Sequence, residues 1–117
     1  MSENTARLAL PFIMAAQAQK HVTHNEALRL LDGIVQLSVL DKDLTAPPGG
    51  ADDGAAYIVP TGAAGVWAGW DGDIAYRADG TWLRLQPGPG WLAWVQDEDA
   101  LYVMASTGWA LLVGLGV

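Results

Sequence analysis

The chain has 117 residues, which fits a single domain, 1–117, and excludes a large multidomain enzyme. Apolar residue types make up 51% of the sequence and charged types 16%, a balance that indicates a packed globule rather than a disordered segment. The net charge of −7 repels nucleic-acid backbones and anionic lipid, so we expect neither nucleic acid nor a membrane as a partner. The sequence contains no cysteine, which excludes disulfides and thiolate metal sites.

The first third of the chain predicts an N-terminal arm, residues 1–22, followed by one amphipathic helix, residues 23–35. Thr23 and Glu26 have the spacing of a capping box, in which each side chain bonds the other residue's backbone amide at a helix start. Beyond this cap, the side chains separate into two opposite faces at helical spacing. The apolar face comprises Ala27, Leu28, Leu31, Ile34 and Val35, and the polar face comprises Asn25, Arg29, Asp32 and Gln36.

The remaining residues, 36–117, predict mostly β-structure, so the expected fold class is α+β with a small antiparallel, Trp-rich sheet of hairpins. The expected strands are 35–39, 57–59, 66–70, 73–78, 81–85, 101–105 and 109–113. Asp71-Gly72 and Asp79-Gly80 have the composition of two-residue hairpin turns, which need positive φ at both positions. The pairs that these turns predict are Ile74 with Leu85, Tyr76 with Leu83, and Trp67 with Tyr76.

The last two expected strands are apolar on both faces in any register. Strands of this kind are enclosed in a core or buried against another subunit, and the apolar end of the chain favours the second. A polar segment that precedes and begins the helix is a further candidate for docking on a neighbour. The expected attachment or oligomer contacts are Gln17, Gln19, Lys20, His21, Asn25, Leu112 and Val113.

Residue types suited to catalysis are sparse. His21 and His24 form an H-x-x-H pair, but this spacing differs from that of a helical zinc site and no third ligand is evident. Asp71 and Asp79 are explained as turn residues and the acidic run 97–99 as a solvated loop, which leaves no acid/base pair for glycoside hydrolysis. We therefore expect no enzyme activity, no metal and no cofactor.

Six tryptophans against one phenylalanine are the unusual feature of the composition. In the predicted hairpin, Trp70 and Trp82 share a face with Arg77 and Arg84, and such a face can stack sugar rings or a partner's side chains. The alternative is that the indoles fill the core of a small sheet and an interface between subunits. The first interpretation predicts a carbohydrate-binding module that contacts host surface polysaccharide directly, and the second predicts a structural role.

Several runs of the sequence resemble one family. They are Leu10-Pro11-Phe12-Ile13, the stretch from Gln17 to Leu28, Leu31-Asp32, Ala46-Pro47-Pro48, Gly65-Val66-Trp67 and Gly80-Thr81-Trp82. They are similar to the phage-associated domain of unknown function that opens many prophage tail-fibre and tail-spike proteins and also occurs in head-spike proteins of gene transfer agents. The similarity covers about residues 5–112.

The resemblance implies a non-enzymatic virion structural protein of a bacteriophage or gene transfer agent. In that family the domain is an attachment module ahead of receptor-binding or glycan-active regions. Because this chain ends without such a region, we expect a free-standing adaptor: a head-spike or tail-fibre base that joins a separate receptor-binding fibre to the capsid or tail. The expected partners are a capsid or tail protein, the fibre protein and copies of itself, five at a capsid vertex or three in a tail or fibre. The protein would assemble in the bacterial cytoplasm and reside in the virion.

Overall fold

The computed structural model describes residues 3–13 and 20–115. Within these ranges the chain forms one helix, seven strands and a 3-10 turn at Gly65–Trp67. The elements are α1 (Lys20–Ile34), β1 (Ser38–Val39), β2 (Ala56–Ile58), β3 (Ile74–Ala78), β4 (Thr81–Leu85), β5 (Leu92–Val95), β6 (Ala100–Ala105) and β7 (Gly108–Gly114). This is a mixed α+β fold with a β majority, which confirms the fold class at that level. No helix within the described ranges has the length and hydropathy needed to cross a membrane.

The strands form two sheets that are joined through the segment after β1. One sheet has the order β1-β5-β6-β7, in which only the β1–β5 pair is parallel, and the other is the antiparallel sheet β2-β3-β4. Beyond β1, Leu40 N donates to Ala56 O at 2.8 Å and Ile58 N donates to Asp41 O at 3.1 Å. This segment therefore pairs with β5 first and with β2 next, so both sheets pack around one core.

The three-stranded sheet has a hydrophobic cluster on each of its faces. One cluster fills the space between the sheets and includes Val39, Ile74, Tyr76, Leu85 and Val95. The other lies on the far side of the three-stranded sheet and consists of Tyr57, Val59, Ala63, Trp67 and Ala75, with Trp70 and Trp82 packed against it. The segment between β2 and β3 supplies much of this second cluster and covers the sheet.

The β3–β4 hairpin has the pairing that the Asp79-Gly80 turn predicts. Ile74 lies opposite Leu85 and Tyr76 opposite Leu83. Asp79 and Gly80 have φ values of 51° and 73°, the two positive values that this turn needs.

The prediction of a strand at 66–70, with Trp67 opposite Tyr76, is wrong. Gly65 and Gly69 adopt positive φ, and the chain between them turns instead of extending. Trp67 is fully buried in the second cluster, on the opposite side of the sheet from Tyr76. Strand β5 was not among the expected strands, because four residues are too few to show a clear strand pattern. In the structure it is held by backbone hydrogen bonds to β1 on one side and to β6 on the other.

The helix begins three residues earlier than predicted, at Lys20 instead of 23, and ends at Ile34 instead of 35. Thr23 therefore lies inside the helix and does not cap it, so the capping-box prediction is wrong. Residues 20–22 contain neither proline nor glycine, so their sequence does not oppose a helix that begins before residue 23. The segment assigned to the arm up to residue 22 thus includes the first turn of the helix.

The helix packs on the protein with its polar face. Asp32 has no exposed surface, whereas Leu31 is 46% exposed. Gly33 lies so close to the three-stranded sheet that a Cβ there would be 2.9 Å from Leu85 Cδ1 and 3.1 Å from the Tyr76 ring. An amphipathic helix ordinarily buries its apolar stripe, and in this chain that stripe faces outward.

Asp32 is a hydrogen-bond centre that joins the arm, the helix and β3. Its carboxylate accepts from Thr5 Oγ1 at 2.7 Å, from the backbone amides of Arg7 and Leu8 at 2.9 and 2.6 Å, and from the Tyr76 hydroxyl. Burial of an unpaired carboxylate would be costly, and these four donors replace its hydration. The polar face of the helix is buried because the arm and Tyr76 supply partners for it.

Two further contacts fasten the arm to both ends of the helix. The Arg7 guanidinium donates to the carbonyls of Asp32, Val35 and Gln36 at 2.5, 3.0 and 2.8 Å, carbonyls that a helix C-terminus leaves unpaired. Near the other end, the Asn25 amide accepts from Ile13 N at 2.8 Å and donates to Ile13 O at 2.9 Å. The described part of the arm is therefore an integral layer of the domain.

Candidate functional site

The outer face of the four-stranded sheet is mostly apolar, and among the described residues its side chains are exposed or partly exposed. Residues that lie directly opposite each other in an antiparallel pair share a face. The register places on one face Ala93, Val95 and Ala100, which are buried in the core. The other face, here called the outer sheet face, carries the polar Ser38 at its β1 edge, opposite Trp94, and seven apolar side chains: Leu92, Trp94, Leu101, Val103, Ala105, Ala110 and Val113. Each of these seven side chains is at least partly exposed, and none is charged.

Strand β7 adds an open edge to this face. Within the described ranges no strand pairs with its free side, and its seven residues include no charged residue and no proline. Natural sheets ordinarily protect such edges with charges, prolines or short strands, because an unprotected edge recruits another chain. A bulge between Leu101 and Tyr102 shifts the register so that Leu112 projects from the strand and is widely exposed.

The second uncovered apolar surface lies on the helix, opposite its packed face. It comprises Ala27, Leu30, Leu31, Ile34 and Val35, here called the helix stripe. These residues follow the spacing of one side of a helix and all are exposed. The ion pair between Arg29 and Glu26, at 4.0 Å, flanks the stripe and does not interrupt it.

A cluster of charged side chains lies at one end of the four-stranded sheet, around the turn between β5 and β6. Lys42 Nζ lies 3.3 Å from Asp43 Oδ1 and 3.4 Å from Glu98 Oε2. Burial, together with the charges of Asp41, Glu98 and Asp43, raises the pKa of Asp97. Negative charge is therefore dense at this end of the sheet, and the turn lies beside the end of β7, where Leu115 N donates to Asp99 O at 2.9 Å.

The indoles of the candidate platform are half-buried and their ring faces carry cations. The Arg77 guanidinium lies 5.1 Å from the centre of the Trp82 ring, and that of Arg84 lies 5.8 Å from the Trp70 ring. Trp82 also packs edge-on against Trp67, with ring centres 5.2 Å apart. The structure thus brings all four predicted residues to one side of the three-stranded sheet, where they cover the second cluster.

The predicted polar contact segment is described only in part. Gln17 and Gln19 lie outside the described residues, and Lys20 and His21 open the helix with side chains that are likewise outside the description. Asn25 is described, and its amide is engaged with Ile13 of the same chain. In the described ranges no three side chains of His, Asp or Glu gather as a metal site.

Sequence reasoning recognised the two-sided apolar character of the C-terminal strands and the apolar side of the helix, but missed that this side is exposed and that Asp32 is a hydrogen-bond centre. The signal available for Asp32 was weak, because an acidic residue on the polar side of a helix ordinarily faces water. Only the arm, 24 to 27 residues away in sequence, and Tyr76, 44 residues away, turn that side inward.

The family model described as protein of unknown function (DUF2793) matches residues 24–110, about three quarters of the chain. The chain belongs to this family. The match is narrower than the expected 5–112 and begins within the run from Gln17 to Leu28. It covers all seven residues of the outer sheet face except Val113, and all of the helix stripe. No curated protein matches the chain.

Proposed function

We propose that this DUF2793 protein is a non-enzymatic structural component of a phage-like particle. It acts as a spike or fibre base, assembles from several copies and holds a separate receptor-binding fibre on the capsid or tail. Five copies would match a capsid vertex and three would match a tail or fibre axis.

The observation that carries the proposal is the pair of uncovered apolar surfaces, the outer sheet face and the helix stripe. Monomeric soluble proteins rarely expose contiguous apolar patches of more than a few hundred Å², and larger ones mark interaction sites. A base protein needs such surfaces to bind neighbouring copies, the capsid or tail protein, and the fibre protein. The resemblance of the sequence runs to tail-fibre and head-spike domains supports the same setting.

The alternative function, direct binding of host polysaccharide, depends on Trp70 and Trp82. Sugar rings stack on open aromatic faces. Here guanidinium groups lie over both indoles, and Trp82 supports Trp67 in the second cluster. These contacts favour a structural role for the tryptophans, so the attachment function is the one we propose.

Deletion of the gene from the strain that encodes the chain is expected to yield particles that retain their capsids and lack their fibres. The readout is the number of fibres per particle in negative-stain electron micrographs, together with adsorption to host cells. The wild-type gene supplied in trans should restore both. Particles without the protein that still carry a full set of fibres would refute the proposed function.

A further inference from the structure

We propose that a cavity between the arm, the helix and the β3–β4 hairpin binds a small zwitterion, an α-amino acid with a short apolar side chain. Arg29 receives the carboxylate of this ligand, and Asp53 and Asp79 receive its ammonium group. The inference is independent of the proposed function, because no residue that lines the cavity belongs to the outer sheet face or to the helix stripe.

The cavity forms where four separate parts of the chain meet. Its walls include Thr5 and Phe12 of the arm, Arg29 of the helix, Asp53 of the loop before β2, and Ala78 and Asp79 of the hairpin. Its volume is about 180 Å³, room for about six water molecules at roughly 30 Å³ each. Pockets for larger ligands usually have about 300–1,000 Å³, so this one is restricted to a single small molecule.

Arg29 lines this cavity with a charged group that lacks hydrogen-bond acceptors. Its side chain is only 16% exposed, and its nitrogens lie 4.0 Å from Glu26 Oε2 and 3.9 Å from Asp79 Oδ2. Contacts of this length are ion pairs but not hydrogen bonds. Within the described residues the guanidinium donates no hydrogen bond, although it has five N–H donors. A ligand with oxygen acceptors would supply the partners that these largely buried donors lack.

A carboxylate is the acceptor that best matches this arginine. The planar guanidinium presents parallel N–H donors, and these meet the two oxygens of a carboxylate at once. The Phe12 ring lies against the guanidinium, with Arg29 Cζ 4.6 Å from the ring centre. This contact holds the plane of the guanidinium in place before a ligand arrives, which lowers the entropy that binding costs.

The acidic side chains of the cavity favour a positive group on the same molecule. Asp53 Oδ1 accepts from Gly80 N at 3.1 Å, and Asp79 has only the long contact with Arg29 among the described residues. A carboxylate has about four acceptor positions, so both side chains can accept further hydrogen bonds. One positive and two negative side chains give the cavity a charge of −1, which disfavours a simple anion. A zwitterion provides an anionic acceptor for Arg29 and a cationic donor for the two carboxylates.

The apolar part of the wall sets the side chain of the ligand. Ala6, Phe12 and Ala78 complete the cavity and carry no group that could pair with a further charge. A short aliphatic side chain fits such a wall, whereas a third charge on the ligand would be buried without a partner. L-Valine has this combination of groups and is the compound used in the test.

Calorimetric titration of the full chain with L-valine and two matched fragments tests the inference. 3-Methylbutanoate keeps the carbon skeleton and the carboxylate without the ammonium group, and 2-methylpropylamine keeps the ammonium group without the carboxylate. We expect L-valine to bind at least about tenfold more tightly than either fragment, because each fragment loses a hydrogen bond between charged groups. L-Valine should also raise the thermal unfolding midpoint, since it binds the folded chain.

Two variants remove the two halves of the site. Arg29→Gln should weaken L-valine binding by about tenfold to a hundredfold. Asp79→Asn should weaken it comparably and should strengthen binding of 3-methylbutanoate, because a repelling charge is gone. Asparagine tolerates the positive φ of 51° at this position, so Asp79→Asn decides the question if Arg29→Gln lowers the unfolding midpoint of the free protein.

Arg84→Gln is the matched control. It makes the same change at an arginine that pairs with Asp73 at 2.6 Å and does not line the cavity. Its affinity for L-valine should equal that of wild type. An equal loss in Arg84→Gln and Arg29→Gln would place the ligand elsewhere and overturn the inference.

Two further outcomes would also overturn it. Neither heat nor a midpoint shift with L-valine at tens of millimolar would show that the cavity holds only water. Equal affinities for L-valine and 3-methylbutanoate would show that the acidic side chains take no part. The proposed function stands in each of these cases, because it depends on oligomer formation and fibre attachment and not on this cavity.

Discussion

Replacement of Asp32 by alanine is expected to destabilise the fold by about 3–5 kcal/mol, the usual cost of removing one partner from a buried ionic hydrogen-bond network. The substitution leaves four donors without their acceptor: the Thr5 hydroxyl, the amides of Arg7 and Leu8, and the Tyr76 hydroxyl. Domains of this size are stable by about 5–15 kcal/mol, so the variant would keep little of its stability. The measurement is the free energy of unfolding from urea titration followed by tryptophan fluorescence.

Tyr76→Phe is the matched control, because it removes a single donor and keeps the ring that packs beneath Gly33. Its expected cost is about 1.5–3 kcal/mol, the range for one hydrogen bond to a charged group. An Asp32→Ala variant that is no less stable than Tyr76→Phe would show that the arm contributes nothing through this carboxylate.

The Asp32 carboxylate also makes the stability of the fold depend on pH in the acid range. Burial raises the pKa of Asp32, but hydrogen bonds from Tyr76, Thr5 and the Arg7 and Leu8 amides outweigh this effect and hold the pKa below its usual value. A carboxyl with a lowered folded pKa stabilises the fold above its unfolded pKa of about 3.9, and the contribution is lost as pH falls through the folded value. Wild type should therefore lose more stability than Asp32→Asn between pH 5 and pH 3.

Replacement of Val113 by aspartate is expected to weaken the oligomer by more than about a hundredfold in Kd. The substitution buries an unpaired charge in the contact, and a cost of roughly 3 kcal/mol corresponds to that factor. Within one chain the effect should be small, because the Val113 side chain is 49% exposed on the edge strand. Light scattering across a concentration series gives the shift in oligomer dissociation, and thermal unfolding at the lowest concentration reports on the isolated fold.

Val66→Asp is the control for this prediction. It makes the same change in side chain and net charge at a position that is 61% exposed and lies outside both apolar surfaces. Its native mass should equal that of wild type. Equal dissociation of the two variants would mean that added charge, and not the outer sheet face, governs association.

Local patterns predicted the parts of the fold that local chemistry decides. The positive φ values required at Asp79 and Gly80 follow from the turn alone, and the β3–β4 register follows from the turn. The two apolar faces of β6 and β7 are likewise visible in the sequence, because every residue from Leu101 to Ala105 is apolar. These strands indicated either a core or a subunit contact. The structure places Ala100 in the core with Tyr102 and Trp109 packed against it, and leaves Leu111 and Val113 exposed on the two faces of β7.

The orientation of the helix could not be predicted in this way. The apolar side of the helix predicted packing through Leu31 and Ile34. In the structure the helix packs on the domain through Asp32 and Gly33. The decision depends on partners distant in sequence, chiefly Thr5, which is buried beside Asp32. The prediction for Trp67 was wrong for a similar reason. Its ring packs against Tyr57 in the second cluster and not against a residue of a paired strand.

The proposed function requires that this chain form an oligomer through its exposed apolar surfaces. The most direct test is the native mass of the purified full chain, measured by light scattering after size exclusion at several concentrations. We expect one discrete species with three or five times the chain mass of 12.4 kDa, and a loss of that species in Val113→Asp. A single species at 12.4 kDa at every concentration, in wild type as in the variant, would contradict it.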